Sequence, residues 1–136
     1  MRPIILSVDD EPDILELIRF NLARSGCEVV TATSGRAALE TIRGQSPDLI
    51  LLDLMLPDID GFGLCEILRL EPATALIPIL VISGWSTSDS RHLSLELGAL
   101  DYLTKPFSPR MLVNRVQKLL QLSPRWNLIS CGAEAK

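Results

Sequence analysis

Five short apolar runs alternate with longer segments whose apolar residues recur at helical spacing. This alternation is typical of an α/β protein, in which a helix follows each strand and leads to the next parallel strand. Crossover helices cover both faces of a parallel sheet, so the pattern predicts a single three-layer α/β/α sandwich with a five-stranded parallel sheet. The predicted strands are Ile4–Val8, Glu28–Ala32, Leu49–Leu52, Ile79–Ile82 and Leu100–Leu103.

The residue content of the runs separates central strands from edge strands. The first, third and fourth runs are almost continuous Ile, Leu and Val, which is the composition of strands buried on both faces. The second run carries Glu28 and Thr31, and the fifth carries Tyr102 and is followed by Thr104. We therefore expect the second and fifth strands at the edges of the sheet.

Capping residues indicate where most helices begin. Side chains of Ser, Thr and Asp at the N-cap accept hydrogen bonds from the first helical turn, and proline suits the first helical position. The fourth helix has a weaker signal, with Leu93 and Leu97 predicted to form its buried side. For the other helices the signals are Pro12, Ser34, Asp60 and Ser108.

The length of 136 residues and a hydrophobic content of 47% suit one compact domain. We expect this domain at residues 1–122, because the segment 123–136 ends the alternation. That segment is either a docked tail or the start of a linker, and the sequence favours neither. The net charge of −4 without a basic block argues against nucleic acid as a direct partner. Three cysteines without paired spacing, and no apolar stretch of membrane-spanning length, predict a cytoplasmic protein.

Polar residues follow four of the predicted strands. Asp9 and Asp10 follow the first strand, Asp53 the third, Ser83 the fourth, and Lys105 lies just after the fifth. Right-handed crossovers bring the carboxyl ends of all parallel strands to one edge of the sheet, which is where such folds carry their functional groups. We therefore expect three acids, one hydroxyl and one amine in a common crevice.

Three carboxylates in one crevice repel each other unless a cation neutralises them. Mg²⁺ is suited to this role because it binds oxygen ligands, commonly one or two carboxylates together with phosphate oxygens. An aspartate beside such a metal can act as a nucleophile toward phosphorus and form an acyl phosphate. The hydroxyl of Ser83 and the ammonium of Lys105 are suited to binding the charged phosphoryl oxygens.

These residues lie in motifs that resemble the response-regulator receiver domains of two-component signalling over roughly residues 3–121. The resemblance implies a flavodoxin-like receiver fold with strand order 2-1-3-4-5. It implies that Asp53 is the phosphoacceptor and that Asp9, Asp10, Asp53 and the backbone carbonyl of Met55 hold Mg²⁺. The motifs are Val8-Asp9-Asp10-Glu11-Pro12, Asp53-Leu54-Met55-Leu56-Pro57-Asp58-Ile59-Asp60-Gly61, Ser83, and Asp101-Tyr102-Leu103-Thr104-Lys105-Pro106-Phe107.

The same resemblance implies a switch. Ser83 and Lys105 would contact the phosphoryl group, and Ser83 and Tyr102 would move when Asp53 is phosphorylated. This movement would change the face formed by the fourth helix, fifth strand and fifth helix. The resemblance also implies a cis peptide bond before Pro106. In this family the chain is not a conventional enzyme, although it assists its own phosphorylation and dephosphorylation.

The implied phosphodonor is the phosphohistidine of a sensor histidine kinase or histidine phosphotransfer protein. An output protein or a fused effector domain would read the switch, and a homodimer through the switch face is left open. The resemblance also implies that Met55 and Trp85 occupy the two positions that line access to the phosphoryl group. We expect their bulk to slow attack by water.

Each residue also has a structural interpretation. Asp9 and Asp10 could simply favour the positive end of the first helix, and Lys105 could be a solvated loop residue. Tyr102 alone is more typical of an aromatic residue packed on an edge strand. His92, the only histidine, is best interpreted as a residue on a helix surface. The shared edge of the sheet favours function for the acids and the lysine.

Three other functions remain as alternatives. A phosphatase of the haloacid dehalogenase kind uses a similar set of residues, but it has a second aspartate where this chain has Met55. A flavodoxin-like flavin carrier would need a first loop that binds phosphate, and the acids there would repel one. A receiver used only as a docking surface would not need the acids, Ser83 and Lys105.

Overall fold

The computed structural model describes residues 2–84 and 87–124. Five parallel strands form one sheet in the order β2-β1-β3-β4-β5, and a helix follows each strand. The strands are β1 (Ile4–Val8), β2 (Glu28–Ala32), β3 (Leu49–Leu52), β4 (Ile79–Ser83) and β5 (Asp101–Thr104). The helices are α1 (Pro12–Arg24), α2 (Gly35–Gly44), α3 (Gly61–Leu70), α4 (Ser88–Glu96) and α5 (Pro109–Leu120).

The hydrophobic core lies in two layers, one on each face of the sheet. Alternate residues of β3 point to opposite faces, so Leu49 and Leu51 pack in one layer and Ile50 and Leu52 in the other. Helices α1 and α5 cover the first layer, and α2 and α3 cover the second. The predicted three-layer α/β/α sandwich and the strand order 2-1-3-4-5 are therefore confirmed, with β2 and β5 at the edges.

The predicted helix starts agree with the observed caps. The side chains of Ser34, Asp60 and Ser108 accept hydrogen bonds from Ala37, Gly63 and Met111 backbone N–H groups, respectively. Pro12 begins α1 as predicted. These bonds satisfy N–H groups that have no partner inside a helix, which explains why each helix begins at its cap.

Three strand ends and one buried face differ from the prediction. Strand β4 ends at Ser83 instead of Ile82, and β5 runs from Asp101 to Thr104 instead of from Leu100 to Leu103. Leu100, which precedes β5, is half-exposed. The prediction that Leu93 is buried in α4 was wrong, since its side chain is 40% exposed. The buried residues of α4 are Ser90 and Ser94 instead. Leu97, the other predicted residue, is partly buried against the core.

Some predictions concern residues that the structure does not describe. Trp85 and the segment 125–136, which includes Cys131, lie outside the described residues, and the domain boundary at residue 122 stays a prediction. The other two cysteines, Cys27 and Cys65, are buried free thiols. Across residues 2–84 and 87–124, every helix is too short or too polar to cross a membrane.

Candidate functional site

The ends of β1, β3 and β5 place three charged residues at one edge of the sheet. The ladder of hydrogen bonds between strands continues one residue beyond each of these strands. The Asp9 N–H donates to the Ala32 carbonyl at 3.1 Å, and the Asp53 N–H donates to the Val8 carbonyl at 3.0 Å. The Lys105 N–H donates to the Ser83 carbonyl at 2.9 Å. These bonds extend the rigid sheet to the functional residues. The side chains are therefore positioned by the sheet and not by mobile loops.

The ammonium of Lys105 lies at the centre of this edge. Its Nζ donates to Asp9 Oδ2 at 2.8 Å, to Glu11 Oε1 at 3.2 Å and to Asp53 Oδ2 at 3.2 Å. The side chains of Asp9 and Asp53 are only 3% and 4% exposed, and that of Lys105 is 13% exposed. One cation thus compensates for several acids that are largely removed from water.

The charges in this cluster shift the pKa values of two groups. The net shift in the pKa of Asp9 is upward. Burial and the charge of Asp53 raise this pKa, and the hydrogen bonds from Lys105 and from the Glu11 N–H lower it by less. Burial lowers the pKa of Lys105, but the hydrogen bond to Asp9 and the charges of Asp53 and Asp9 outweigh it, so the net shift is upward. The site therefore has more negative charge than Lys105 alone neutralises.

An open cleft of about 720 Å³ lies over the cluster. Carboxylate oxygens of Asp9, Asp10, Glu11 and Asp53 lie within 4.8 Å of one another, and Asp10 and Glu11 are exposed to solvent. A set of hard oxygen donors with open positions for water is the environment that Mg²⁺ prefers. These residues therefore fit the predicted metal. The cleft is lined by Asp10, Glu11, Asp53, Met55, Gly84 and Lys105.

Hydrogen bonds hold both ends of the loop between β3 and α3 close to the end of β3. Met55 N–H donates to Asp53 Oδ1 at 3.1 Å, and Gly61 N–H donates to the Leu54 carbonyl at 2.9 Å. A Cβ on Gly61 would stand 2.4 Å from the Leu54 Cα, so only glycine permits this approach. The loop thereby brings Met55, whose side chain is 60% exposed, to the wall of the cleft.

The predicted switch residues lie on β4 and β5 and are not among the residues that line the cleft. Ser83 ends β4, next to β3, and is fully buried. Tyr102, at the centre of β5, is 5% exposed, and the guanidinium of Arg91 lies 5.4 Å from its ring centroid. The peptide bond between Lys105 and Pro106 is cis, as the resemblance implied.

Sequence reasoning gave no role to Glu11 or Asp58. Glu11 contacts Lys105 and belongs to the acidic cluster, and its position directly after Asp9 and Asp10 was the available signal. Asp58 lies in the loop between β3 and α3 and contacts α2. Nothing in the local sequence around Asp58 indicates a contact with a helix that lies 22 and 23 residues earlier in the chain. His92 is a surface residue as expected, and its Nε2 lies 3.1 Å from Glu96 Oε1.

Comparison with known proteins gives a consistent match. The family model described as "Response regulator receiver domain" matches residues 5–117. The chain is 46% identical over 123 residues to the alkaline phosphatase synthesis transcriptional regulatory protein PhoP of Bacillus subtilis (strain 168), covering 90% of this chain and 50% of PhoP. It is 42% identical over 117 residues to the transcriptional regulatory protein GltR of Pseudomonas aeruginosa, covering 86% of this chain and 48% of GltR. The chain thus spans about half the length of these relatives.

Solved structures agree with the sequence matches. The BeF₃-activated N-terminal receiver domain of Klebsiella pneumoniae RstA superposes with a TM-score of 0.79 at 36% identity, covering 87% of this chain and 98% of that one. The chemotaxis response regulator CheY4 of Vibrio cholerae gives a TM-score of 0.83 at 28% identity, covering 88% and 99%. The similarity therefore extends over nearly the whole of these solved chains.

Proposed function

Since this chain belongs to the family of response regulator receiver domains, we propose that it accepts a phosphoryl group on the carboxylate of Asp53. The observation that carries the proposal is the contact between Asp53 Oδ2 and Lys105 Nζ within an acidic cleft. A nucleophile, a cation for the developing charge and oxygen ligands for a metal are then close together. Each of these is a requirement of phosphoryl transfer.

The transfer can be written as a balanced step. An Asp53 oxygen forms a bond to phosphorus while the bond from phosphorus to the donor's histidine nitrogen breaks, and that nitrogen keeps the electron pair and takes a proton. The donor would be a sensor histidine kinase or a histidine phosphotransfer protein. Lys105 and the hydroxyl of Ser83 would bind oxygens of the transferred group, where the charge is spread.

We propose that Asp9, Asp10, Asp53 and the backbone carbonyl of Met55 hold Mg²⁺. The fit of the acidic cluster to a hard divalent cation supports this assignment. When bound, the metal supplies positive charge that neutralises the acids and the phosphoryl oxygens. The domain would thus assist its own phosphorylation and dephosphorylation without being a conventional enzyme.

The output of the domain belongs to the same proposal. Phosphorylation would move Ser83 and Tyr102 and thereby change the face formed by α4, β5 and α5. A dianionic group can bias such a two-state element when it binds one arrangement better than the other. The chain spans about half the length of the relatives PhoP and GltR. Residues 1–122 would form the receiver, and the segment 123–136 would be either a docked tail or the start of a linker. A homodimer through this face stays open, and the cytoplasmic location expected from the sequence suits this role.

Reductive trapping tests the site of modification. After incubation with acetyl phosphate and Mg²⁺, borohydride reduces an acyl phosphate to an alcohol and so converts the modified aspartate to homoserine. Peptide sequencing by mass spectrometry should find homoserine at position 53. Homoserine at position 9 or 10 instead would contradict the assignment of Asp53.

A further inference from the structure

The carboxylate of Asp58 clamps the loop between β3 and α3 to a different helix. Its Oδ1 accepts a hydrogen bond from the Gly35 N–H at 2.8 Å, and its Oδ2 accepts one from the Arg36 N–H at 2.9 Å. Both donors lie in the first turn of α2, where N–H groups have no partner within the helix. The two bonds thus join the loop to α2 through a single side chain.

A second contact beside these bonds holds the same two segments together. The side chain of Ile59 packs over Gly35, where an added Cβ would stand 3.0 Å from the Ile59 Cβ. The hydrogen bonds from the two α2 N–H groups lower the pKa of Asp58, so the carboxylate is ionised whenever the protein is near neutral pH. The hydrogen bonds of Asp58 and the packing of Ile59 therefore both hold the loop against the start of α2.

The clamp holds the middle of a loop whose ends are already fixed. At one end Met55 N–H donates to Asp53, and at the other Gly61 N–H donates to the Leu54 carbonyl. Between them, Asp58 is the residue whose side chain is bonded to the neighbouring helix. Loss of that side chain would leave residues 56–59 held by the packing of Leu56 and Ile59 against the core.

We propose that Asp58 is a positioning residue that holds the loop carrying Met55 at the wall of the cleft, where the backbone carbonyl of Met55 would bind Mg²⁺. This inference rests on the proposed function, because it uses Met55 as a ligand. Asp58 would not touch the metal or the phosphoryl group. It would act through the loop, as outer contacts that orient a metal ligand do.

A control variant in the same helix separates this role from simple capping of α2. Ser34 Oγ accepts a hydrogen bond from the Ala37 N–H at 3.1 Å, so Ser34→Ala removes a cap of α2 and leaves the loop untouched. Asp58→Ala removes a cap of α2 and also the tie to the loop. Both variants should lose thermal stability, and only the second should change the metal site.

The experiment is calorimetric titration of Mg²⁺ into the full chain without a phosphodonor, for wild type, Asp58→Ala, Asp58→Asn and Ser34→Ala. We expect roughly tenfold weaker binding for Asp58→Ala, which is the lower end of the effect of outer contacts on metal affinity. Asp58→Asn keeps one acceptor oxygen and should fall between Asp58→Ala and wild type. Ser34→Ala should bind within twofold of wild type.

Phosphorylation by acetyl phosphate provides a second readout. For Asp58→Ala, the rate should require more Mg²⁺ to reach half of its maximum, and saturating Mg²⁺ should restore the wild-type rate. If wild type and Asp58→Ala bound Mg²⁺ with equal affinity, the positioning role of Asp58 would be overturned. Equal losses of Mg²⁺ affinity in Asp58→Ala and Ser34→Ala would overturn it as well. Neither result would affect the proposed metal site. Absence of Mg²⁺ binding by wild type would instead overturn the proposed metal site and the clamp with it.

Discussion

Lys105 Nζ and Asp53 Oδ2 lie 3.2 Å apart at the edge of the sheet, although the residues are 52 positions apart in the chain. The same ammonium contacts Asp9 at 2.8 Å. Before phosphorylation Lys105 therefore serves as the counterion of the acidic cluster. The proposed role of binding phosphoryl oxygens would redirect a cation that is already in place, which requires little reorganisation.

Neutralising Asp53 should stabilise the metal-free protein. The charge of Asp53 raises the pKa of Asp9, which means that the two carboxylates repel each other. Asp53→Asn removes that repulsion and keeps an oxygen that can accept from Lys105. We expect a gain of about 1 kcal/mol in the free energy of unfolding, or roughly 4 °C in Tm. Thermal unfolding with and without Mg²⁺ measures this, and a lower Tm for Asp53→Asn without metal would contradict it.

Removing Lys105 should have the opposite effect. Lys105→Met leaves Asp9 and Asp53 buried without their cation, which should cost about 2 kcal/mol in metal-free urea unfolding. Added Mg²⁺ should reduce the deficit, because it replaces the missing positive charge. Lys118→Met on the exposed side of α5 is the matched control and should change stability by less than about 0.5 kcal/mol. A deficit that is the same at every Mg²⁺ concentration would argue against this account.

Gly61 should tolerate no side chain. A methyl group there would meet the Leu54 Cα at 2.4 Å, so Gly61→Ala should destabilise the protein by about 1–3 kcal/mol and weaken Mg²⁺ binding through the displaced loop. Gly44 has nothing within 4 Å of the same position and lies in α2. Gly44→Ala should therefore be neutral or slightly stabilising, by about 0.5 kcal/mol. Similar losses in both variants would show that the close approach at Gly61 is not the cause.

The contribution of Asp58 to stability should depend on pH. Its folded-state pKa lies below the ordinary value of about 3.9, so its contribution is present above that value and is lost as pH falls through the folded-state pKa. Urea unfolding from pH 7 to pH 3 should therefore show wild type and Asp58→Asn becoming more alike as pH falls. The hydroxyl of Ser34 does not titrate in this range, so Ser34→Ala should keep a constant difference from wild type. A constant difference for Asp58→Asn as well would exclude an ionic clamp.

Local sequence signals predicted much of this fold. A run such as Leu49–Leu52 is apolar on both faces because helices cover both sides of the sheet, and this periodicity is visible in sequence. Caps such as Ser34 and Asp60 are equally local, since the accepting side chain and the donating N–H lie three residues apart. The order of residues at the strand ends then placed Asp9, Asp53 and Lys105 together.

Features that depend on packing between distant segments were not predicted. Leu93 was expected to be buried because it is apolar, but α4 approaches its neighbours through Ser90 and Ser94. The bonds from α2 to Asp58 join residues far apart in the chain and leave no local pattern. Glu11 belongs to the cluster because its exposed side chain is directed toward Lys105. The spacing of apolar residues in the sequence does not indicate the direction of such a side chain.

The most direct test of the central claim is intact-mass measurement after incubation with acetyl phosphate. Wild type with Mg²⁺ should gain the mass of one phosphoryl group, and wild type with a chelator should gain little. Asp53→Asn should gain none under either condition. No gain by wild type with Mg²⁺, as expected of a receiver used only for docking, or an equal gain by Asp53→Asn, would contradict the assignment of Asp53 as the phosphoacceptor.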